Sequence, residues 1–172
     1  MKWMIPDLFA PSIYRIDYRA LWQRGIRGLI FDLDNTLVET TRPDATPELL
    51  EWLHQLQEMG FHVVIVSNNN RTRVSQFAIP LQIPYIHRAR KPLAPAFRQA
   101  MREMQTEREE TAVVGDQLLT DVLGGNRLHL YTILVAPISE QDAFFTRFNR
   151  QMERHIFRWM HRRGLTRWEE KK

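Results

Sequence analysis

Five short runs rich in branched aliphatic residues, at 28–31, 62–66, 84–87, 111–114 and 131–135, recur between segments with helical spacing. Runs this short and this apolar read as strands buried on both faces. The clearest helix between them has Thr46 as N-cap and Pro47 at its first position. It carries Leu49, Leu50, Leu53, Leu56 and Met59 on one side and stops at Gly60. Further helical patterns cover 71–78, 95–105 and 118–128. Strands that alternate with helices predict an α/β, Rossmann-like three-layer fold: a central parallel sheet of about five strands with helices on both faces. Ligands of such sheets bind outside the carboxyl ends of the strands.

Polar clusters stand at four of those ends. The first strand ends in Asp32-Leu33-Asp34-Asn35-Thr36, the second in Ser67-Asn68, and the third runs into Lys91, beside a Pro92 suited to open a helix. The fourth ends in Gly115-Asp116, with Asp121 five residues on. Carboxylates brought to one point repel and raise each other's pKa. A hard divalent cation is the simplest neutraliser, and magnesium favours a few carboxylate oxygens plus water. Lys91 adds a fixed positive charge and Ser67 a hydroxyl donor. Positive charge and donors around an acidic metal site suit a phosphoryl group, whose oxygens gather charge in the transition state. Asp32 and Asp34 then divide two tasks: one stays ionised to attack, the other holds a proton for the leaving group.

These residues carry a family resemblance. The DxDxT of Asp32–Thr36, Ser67, Lys91 and the GDxxxxD of Gly115–Asp121 are similar, in order, to the four motifs of haloacid dehalogenase (HAD) superfamily phosphatases. The stretches RGIRGLIFDLDNTLVE, VSNNN, ARKP and VVGDQLLTDVLGGNR resemble subfamily IIIA, the YqeG family, related to phosphatidylglycerophosphate phosphatases. The likeness spans about residues 8–168 without departure from the motif pattern.

The resemblance implies a HAD-like fold and an aspartyl-phosphate mechanism. Asp32 would be the nucleophile, and Asp34 the acid and then the base. Asp32, Asp34 (through its backbone carbonyl) and Asp116 would hold Mg2+, with Asp121 behind them. Ser67, Asn68 and Lys91 would bind phosphoryl oxygens, and Thr36 would position Asp34. HAD caps are usually inserted between the first and second motifs or between the second and third. Here those intervals are 35 and 24 positions, mostly used by core elements, so no large cap domain is expected. An open site suits a bulky or surface-presented substrate, here phosphatidylglycerophosphate.

Taken singly, each residue has a plainer reading. A DxD pair occurs in solvated turns, Ser ends strands, lysines lie on surfaces, and Asp116 and Asp121 could be acids at a helix start. The ordered set outweighs those readings. The six histidines show no ligand spacing, and VLGGNR lacks a nucleotide-binding layout, reading instead as close helix packing.

At 172 residues and 44% hydrophobic, the chain fits a single domain over 1–172. Its net charge of +4 is uneven: residues 144–172 hold nine Lys/Arg against three acids, or +6, which leaves −2 for the preceding chain. On a helix, Phe145, Phe148, Met152, Ile156, Trp159 and Met160 form one stripe and five arginines another. Such a tail packs on the core with its arginines solvated, or lies on an anionic membrane. It carries no recognised nucleic-acid module, and no nucleic-acid partner is expected.

There is no cysteine, consistent with a reducing compartment. Pro6, Asp7 and Pro11 break the N-terminus before a signal-peptide core forms, and no apolar run reaches the roughly 18 residues of a spanning helix. A cytoplasmic protein is expected, peripheral on the inner membrane face if the tail engages lipid. Two other readings stand beside a phosphatidylglycerophosphate phosphatase: hydrolysis of a soluble sugar or nucleotide phosphate, and a metal-binding scaffold with little turnover. Oligomeric state is not legible.

Overall fold

The structure is a computed structural model and describes residues 2–139. The basic segment at 144–172, and with it the question of where the tail lies, falls outside the described residues.

Six parallel strands form one sheet: β1 (Leu8–Ala10), β2 (Gly28–Phe31), β3 (His62–Val66), β4 (Tyr85–Ile86), β5 (Thr111–Gly115) and β6 (Tyr131–Val135), in the spatial order β1-β6-β5-β2-β3-β4. The helices are α1 (Tyr18–Gln23), α2 (Pro47–Glu58), α3 (Arg71–Ala78), α4 (Ala94–Met104) and α5 (Leu123–Arg127). Successive strand residues point to opposite faces, and the two cores show it. Leu29, Phe31, Val63, Ile65, Ala112 and Val114 join α1, α2 and α3 on one side. Ile30, Val64, Val66 and Val113 meet Phe97, Ala100 and Met104 of α4 on the other. The expected three-layer α/β fold is therefore present.

The sheet has six strands rather than about five. β1 is only three residues long, between Asp7 and Pro11, too short to show a period in sequence. Polar chemistry secures it. The Asp7 and Thr132 main chains pair (Asp7 N–H to Thr132 O, 2.9 Å), and Asp7 Oδ2 accepts from the Thr132 N–H at 2.8 Å. Thr132 also donates through Oγ1 to Asn126 Oδ1 at 2.9 Å. α4 begins at Ala94 with Leu93 as N-cap, so Pro92 lies before the helix and Pro95 inside its first turn. The helix expected over 118–128 is two pieces, a π-helical turn (Leu118–Val122) running into α5. Among the described residues, the intervals between the first three motif positions hold the loop at 39–46, α2, β3, α3 and β4, and no cap domain.

α2 starts as expected: Thr46 Oγ1 accepts from the Leu49 N–H at 3.1 Å. VLGGNR is indeed a packing site. A Cβ at Gly124 would lie 2.5 Å from the Phe97 ring and 3.3 Å from the Pro92 main chain, and one at Gly125 would lie 2.6 Å from the Thr132 methyl. Gly124→Ala should accordingly destabilise the fold by about 1–3 kcal/mol, since the buried ring must shift, against about 1 kcal/mol of helix propensity in alanine's favour. Urea unfolding measures it. Adding Phe97→Leu should recover part of the loss, and an unchanged midpoint in the single variant would refute the close packing.

Candidate active site

Three strand ends and the loop after a fourth deliver the site. Asp32 follows β2 directly, and its N–H continues the ladder to Val114 O at 3.0 Å. The chain then turns tightly. Leu37 N–H donates to Leu33 O at 3.0 Å, Asn35 N–H to Val38 O at 2.7 Å, and Asn35 takes a left-handed φ of 63°. After β3, Ser67 N–H donates to Ile86 O (2.9 Å), while Ala89 and Arg88 N–H groups donate to the Ser67 and Asn69 carbonyls (3.0 and 2.8 Å). The loop carrying Lys91 is thereby fastened to the end of β3. β5 supplies Gly115-Asp116, and the π-helical turn supplies Asp121. π-turns recur at functional sites because they re-aim a side chain within a helix.

At the centre, the Lys91 ammonium donates to Asp32 Oδ1 at 2.8 Å and to Asp121 Oδ1 at 2.6 Å, with all three residues buried. Carboxylate oxygens of Asp32, Asp116 and Asp121 all lie within 4.8 Å of one another. Gly115 makes room for this: a Cβ there would occupy the space of the Asp121 carboxylate.

Burial first, then repulsion from Asp121, raises the Asp32 pKa to about 6, although Lys91 pulls the other way. Burial and the charges of Asp32 and Asp121 push Asp116 well above the ordinary carboxylate range. Burial works against the charge of Lys91, but Asp121 and Asp32 outweigh it and hold its pKa above the ordinary lysine value. Three carboxylates facing one ammonium are under-neutralised, and an all-oxygen cluster with surplus negative charge fits a hard divalent cation such as magnesium.

Each of the four polar residues of the VSNNN run has a separate contact. Ser67 Oγ accepts from the Asn69 N–H at 3.1 Å. The Asn68 amide brackets the Lys91 main chain, accepting from its N–H at 2.7 Å and donating to its carbonyl at 3.3 Å. Asn69 donates from Nδ2 to Asp34 Oδ2 at 2.9 Å, and Asn70 caps α3 by accepting from the Arg73 N–H at 2.9 Å.

The Asp34 carboxylate is not part of the Asp32–Asp116–Asp121 cluster. It is turned toward Asn69 and Arg73, whose Nη2 lies 2.9 Å from Asp34 Oδ1. Thr36, expected to position Asp34, donates instead to Asp116 Oδ1 at 3.3 Å, because the turn at Asn35 carries it across to the end of β5. Asp121, expected behind the metal ligands, stands in direct contact with Lys91. Two residues missed in the sequence belong to the site, Asn69 and Arg73. A signal for Arg73 exists: α3 has arginines and no acid in its first turn. A cation at a helix N-terminus opposes the dipole unless an anion faces it.

Comparison with known proteins agrees with this geometry. The family described as "Hydrolase: haloacid dehalogenase-like hydrolase" matches residues 40–129, a span that starts after the Asp32–Asp34 pair. The chain is 52% identical to "Probable phosphatase YqeG" of Bacillus subtilis, over 98% of each chain. It is 25% identical to "Phosphatidylglycerophosphate phosphatase 1, chloroplastic/mitochondrial" of Arabidopsis thaliana, across 95% of this chain but only 50% of that one. In fold alone, it resembles an uncharacterized protein from Listeria monocytogenes serotype 4b (TM-score 0.53, 16% identity, 69% of this chain and 85% of that one). A half-identical phosphatase along nearly the whole length and a family match over half of it place this chain among the haloacid dehalogenase-like hydrolases, as a phosphatase of that family.

Proposed function

We propose that the protein is a magnesium-dependent phosphomonoesterase that works through an aspartyl-phosphate on Asp32, and that its substrate is phosphatidylglycerophosphate. The observation that carries the mechanism is the Lys91 ammonium bridging Asp32 and Asp121 beside Asp116. It holds the Asp32 carboxylate at the strand end, where the ammonium favours the ionised form, next to an oxygen cluster suited to a divalent cation.

Asp32 attacks the phosphorus, and the bond to the ester oxygen breaks. The electron pair goes to that oxygen, which takes a proton from Asp34. A water then attacks the aspartyl-phosphate and gives its proton to Asp34, and the bond from phosphorus to Asp32 breaks. Lys91 neutralises charge on the transferring group, and the Ser67 hydroxyl and the main-chain N–H of Asn68, whose side chain is taken up by the Lys91 main chain, donate to its oxygens. Asp32 and Asp116 would hold magnesium, with the Asp34 main chain as a third donor. Bound there, the ion would draw charge from the phosphoryl oxygens and relieve repulsion among the carboxylates.

The lipid substrate is supported by the likeness to the plant phosphatidylglycerophosphate phosphatase and by the surroundings of the site. Leu93 and Ile138, 53% and 48% exposed, sit two residues after Lys91 and on the Asn35 carbonyl, respectively. Arg42, Arg88 and Arg90 are exposed on the adjoining loops. Apolar and cationic side chains together suit a phospholipid at an anionic surface. No helix among the described residues is long and apolar enough to cross a membrane.

Phosphate release with magnesium, from vesicles carrying phosphatidylglycerophosphate and from soluble sugar and nucleotide phosphates, tests both halves. Release should favour the vesicles, and Asp32→Asn should lower it by at least about 10³-fold while the protein stays folded. Equal or faster turnover of the soluble esters would discard the lipid and keep the mechanism. An active Asn variant would sink Asp32 as nucleophile, and inertness toward every ester would favour the scaffold.

Stability gives a second check. The fold keeps a proton on Asp32 up to about pH 6, whereas the carboxyl's ordinary value is 3.8. The native state therefore binds more protons in that window, and metal-free stability falls as pH rises through it. The melting temperature of Asp32→Asn relative to wild type should accordingly rise between pH 4 and pH 7. Magnesium at pH 7 should raise the wild-type value by about 3–8 °C, a binding energy of 1–2 kcal/mol. Parallel pH curves for the two proteins, or no magnesium shift, would contradict the under-neutralised cluster.

A further inference from the structure

Arg73 takes no part in neutralising the Asp32–Asp116–Asp121 cluster; Lys91 does that. Its guanidinium lies on Asp34 alone among the described carboxylates, with Nε 3.1 Å and Nη2 2.9 Å from the same oxygen, Oδ1. Nη2 and Nη1 also reach the main-chain oxygens of Glu39 (3.4 Å) and Pro43 (3.5 Å) in the loop that follows the Asp34 turn. The second carboxylate oxygen, Oδ2, accepts from Asn69 Nδ2 at 2.9 Å. That amide cannot be turned round without loss, because its own oxygen accepts from the Asn70 N–H at 2.7 Å.

A carboxylate oxygen has two lone-pair sites. Among the described residues, two N–H donors fill those of Oδ1, whereas the single donor on Oδ2 leaves one site open. We propose that Arg73 is a positioning residue for the leaving-group proton: by filling Oδ1 and fixing the carboxylate plane, it makes Oδ2 the oxygen through which Asp34 gives and takes the proton. Asn69 aligns the same oxygen from the other side. This rests on the reading of Asp34 as the proton carrier. It also accounts for an arginine in the first turn of α3, where the helix dipole alone disfavours one. Lysine, with one compact ammonium, cannot place two parallel donors on a single oxygen and hold the plane in the same way.

Proton donation matters in proportion to how poor the leaving group is. Nitrophenolate departs without help; phenolate does so much less readily. The test measures kcat and KM for wild type, Asp34→Asn, Arg73→Met and Arg73→Lys on a series of aryl phosphates from nitrophenyl to phenyl, with magnesium present. Thermal melting confirms that each variant is folded.

Wild-type rates should vary little along the series, and Asp34→Asn rates should fall steeply toward phenyl phosphate. Arg73→Met should reproduce that steepening, losing about tenfold or more on phenyl relative to nitrophenyl phosphate, with KM nearly unchanged and Arg73→Lys in between. An equal loss across the series, or a change confined to KM, would overturn the proposal and leave Arg73 a structural or substrate-anchoring residue. If Asp34→Asn steepens the dependence and Arg73→Met does not, only this inference fails. An Asp34→Asn variant with the wild-type dependence overturns the underlying assignment of Asp34.

Discussion

One buried ammonium organises the molecule's carboxyl-end face. Lys91 Nζ touches Asp32 from the end of β2 and Asp121 from the π-helical turn after β5, at 2.8 and 2.6 Å. An ion pair this deep is a poor source of net stability compared with apolar packing. Removing the ammonium, though, leaves buried carboxylates uncompensated, at a cost of about 3–5 kcal/mol. That asymmetry explains how much of the surrounding structure serves to place one lysine. Asn68 brackets its main chain, the Ser67 and Asn69 carbonyls hold the loop before it, and Gly115 leaves space for the carboxylate it meets. The order of the sheet serves the same placement: β2 lies between β3 and β5, so the groups following all three converge.

Much of this was legible from the sequence, for reasons that differ between elements. β2, β3, β5 and β6 announce themselves because a strand covered on both faces is apolar at every position. α2 announces itself through Thr46, Pro47 and its leucines. The convergence of Asp32, Lys91, Asp116 and Asp121 follows from parallel topology, which puts all carboxyl ends on one side. β1 is different. Its three residues gain their place from the Asp7–Thr132 pairing, a contact across 125 positions that no local pattern records. The division of the helix after β5 was equally hidden, since a π-turn differs from an α-turn by one residue of register and not by composition.

The site's hydrogen bonding was less legible than its membership. Thr36 lies two residues from Asp34, and proximity along the chain suggests that the two interact. The left-handed turn at Asn35 instead sends the Thr36 hydroxyl to Asp116. Asn69 and Arg73 read as ordinary polar residues at a strand end and on a helix. Only the geometry shows that they meet Asp34, although an arginine at a helix N-terminus was a hint that an anion lay opposite.

Asp32 and Asp34 are one residue apart, and like charges so close should oppose folding. Each aspartate is given its own cation from a different direction. Lys91 comes from the loop after β4 and meets Asp32 under cover of the sheet; Arg73 comes from α3 and meets Asp34 nearer the solvent, where the Asp34 side chain is 19% exposed. The tight turn from Leu33 to Val38 makes this separation, because it bends the chain between the two carboxylates and points them to different neighbours. Two acids of the same kind thereby acquire different surroundings. In the proposed mechanism, a buried carboxylate bound to an ammonium and beside an oxygen cluster keeps its position while a bond forms to it. A more exposed carboxylate, gripped at one oxygen and lightly held at the other, exchanges the proton. On that reading, what separates the attacking group from the proton carrier is which cation each aspartate meets, and at which atom.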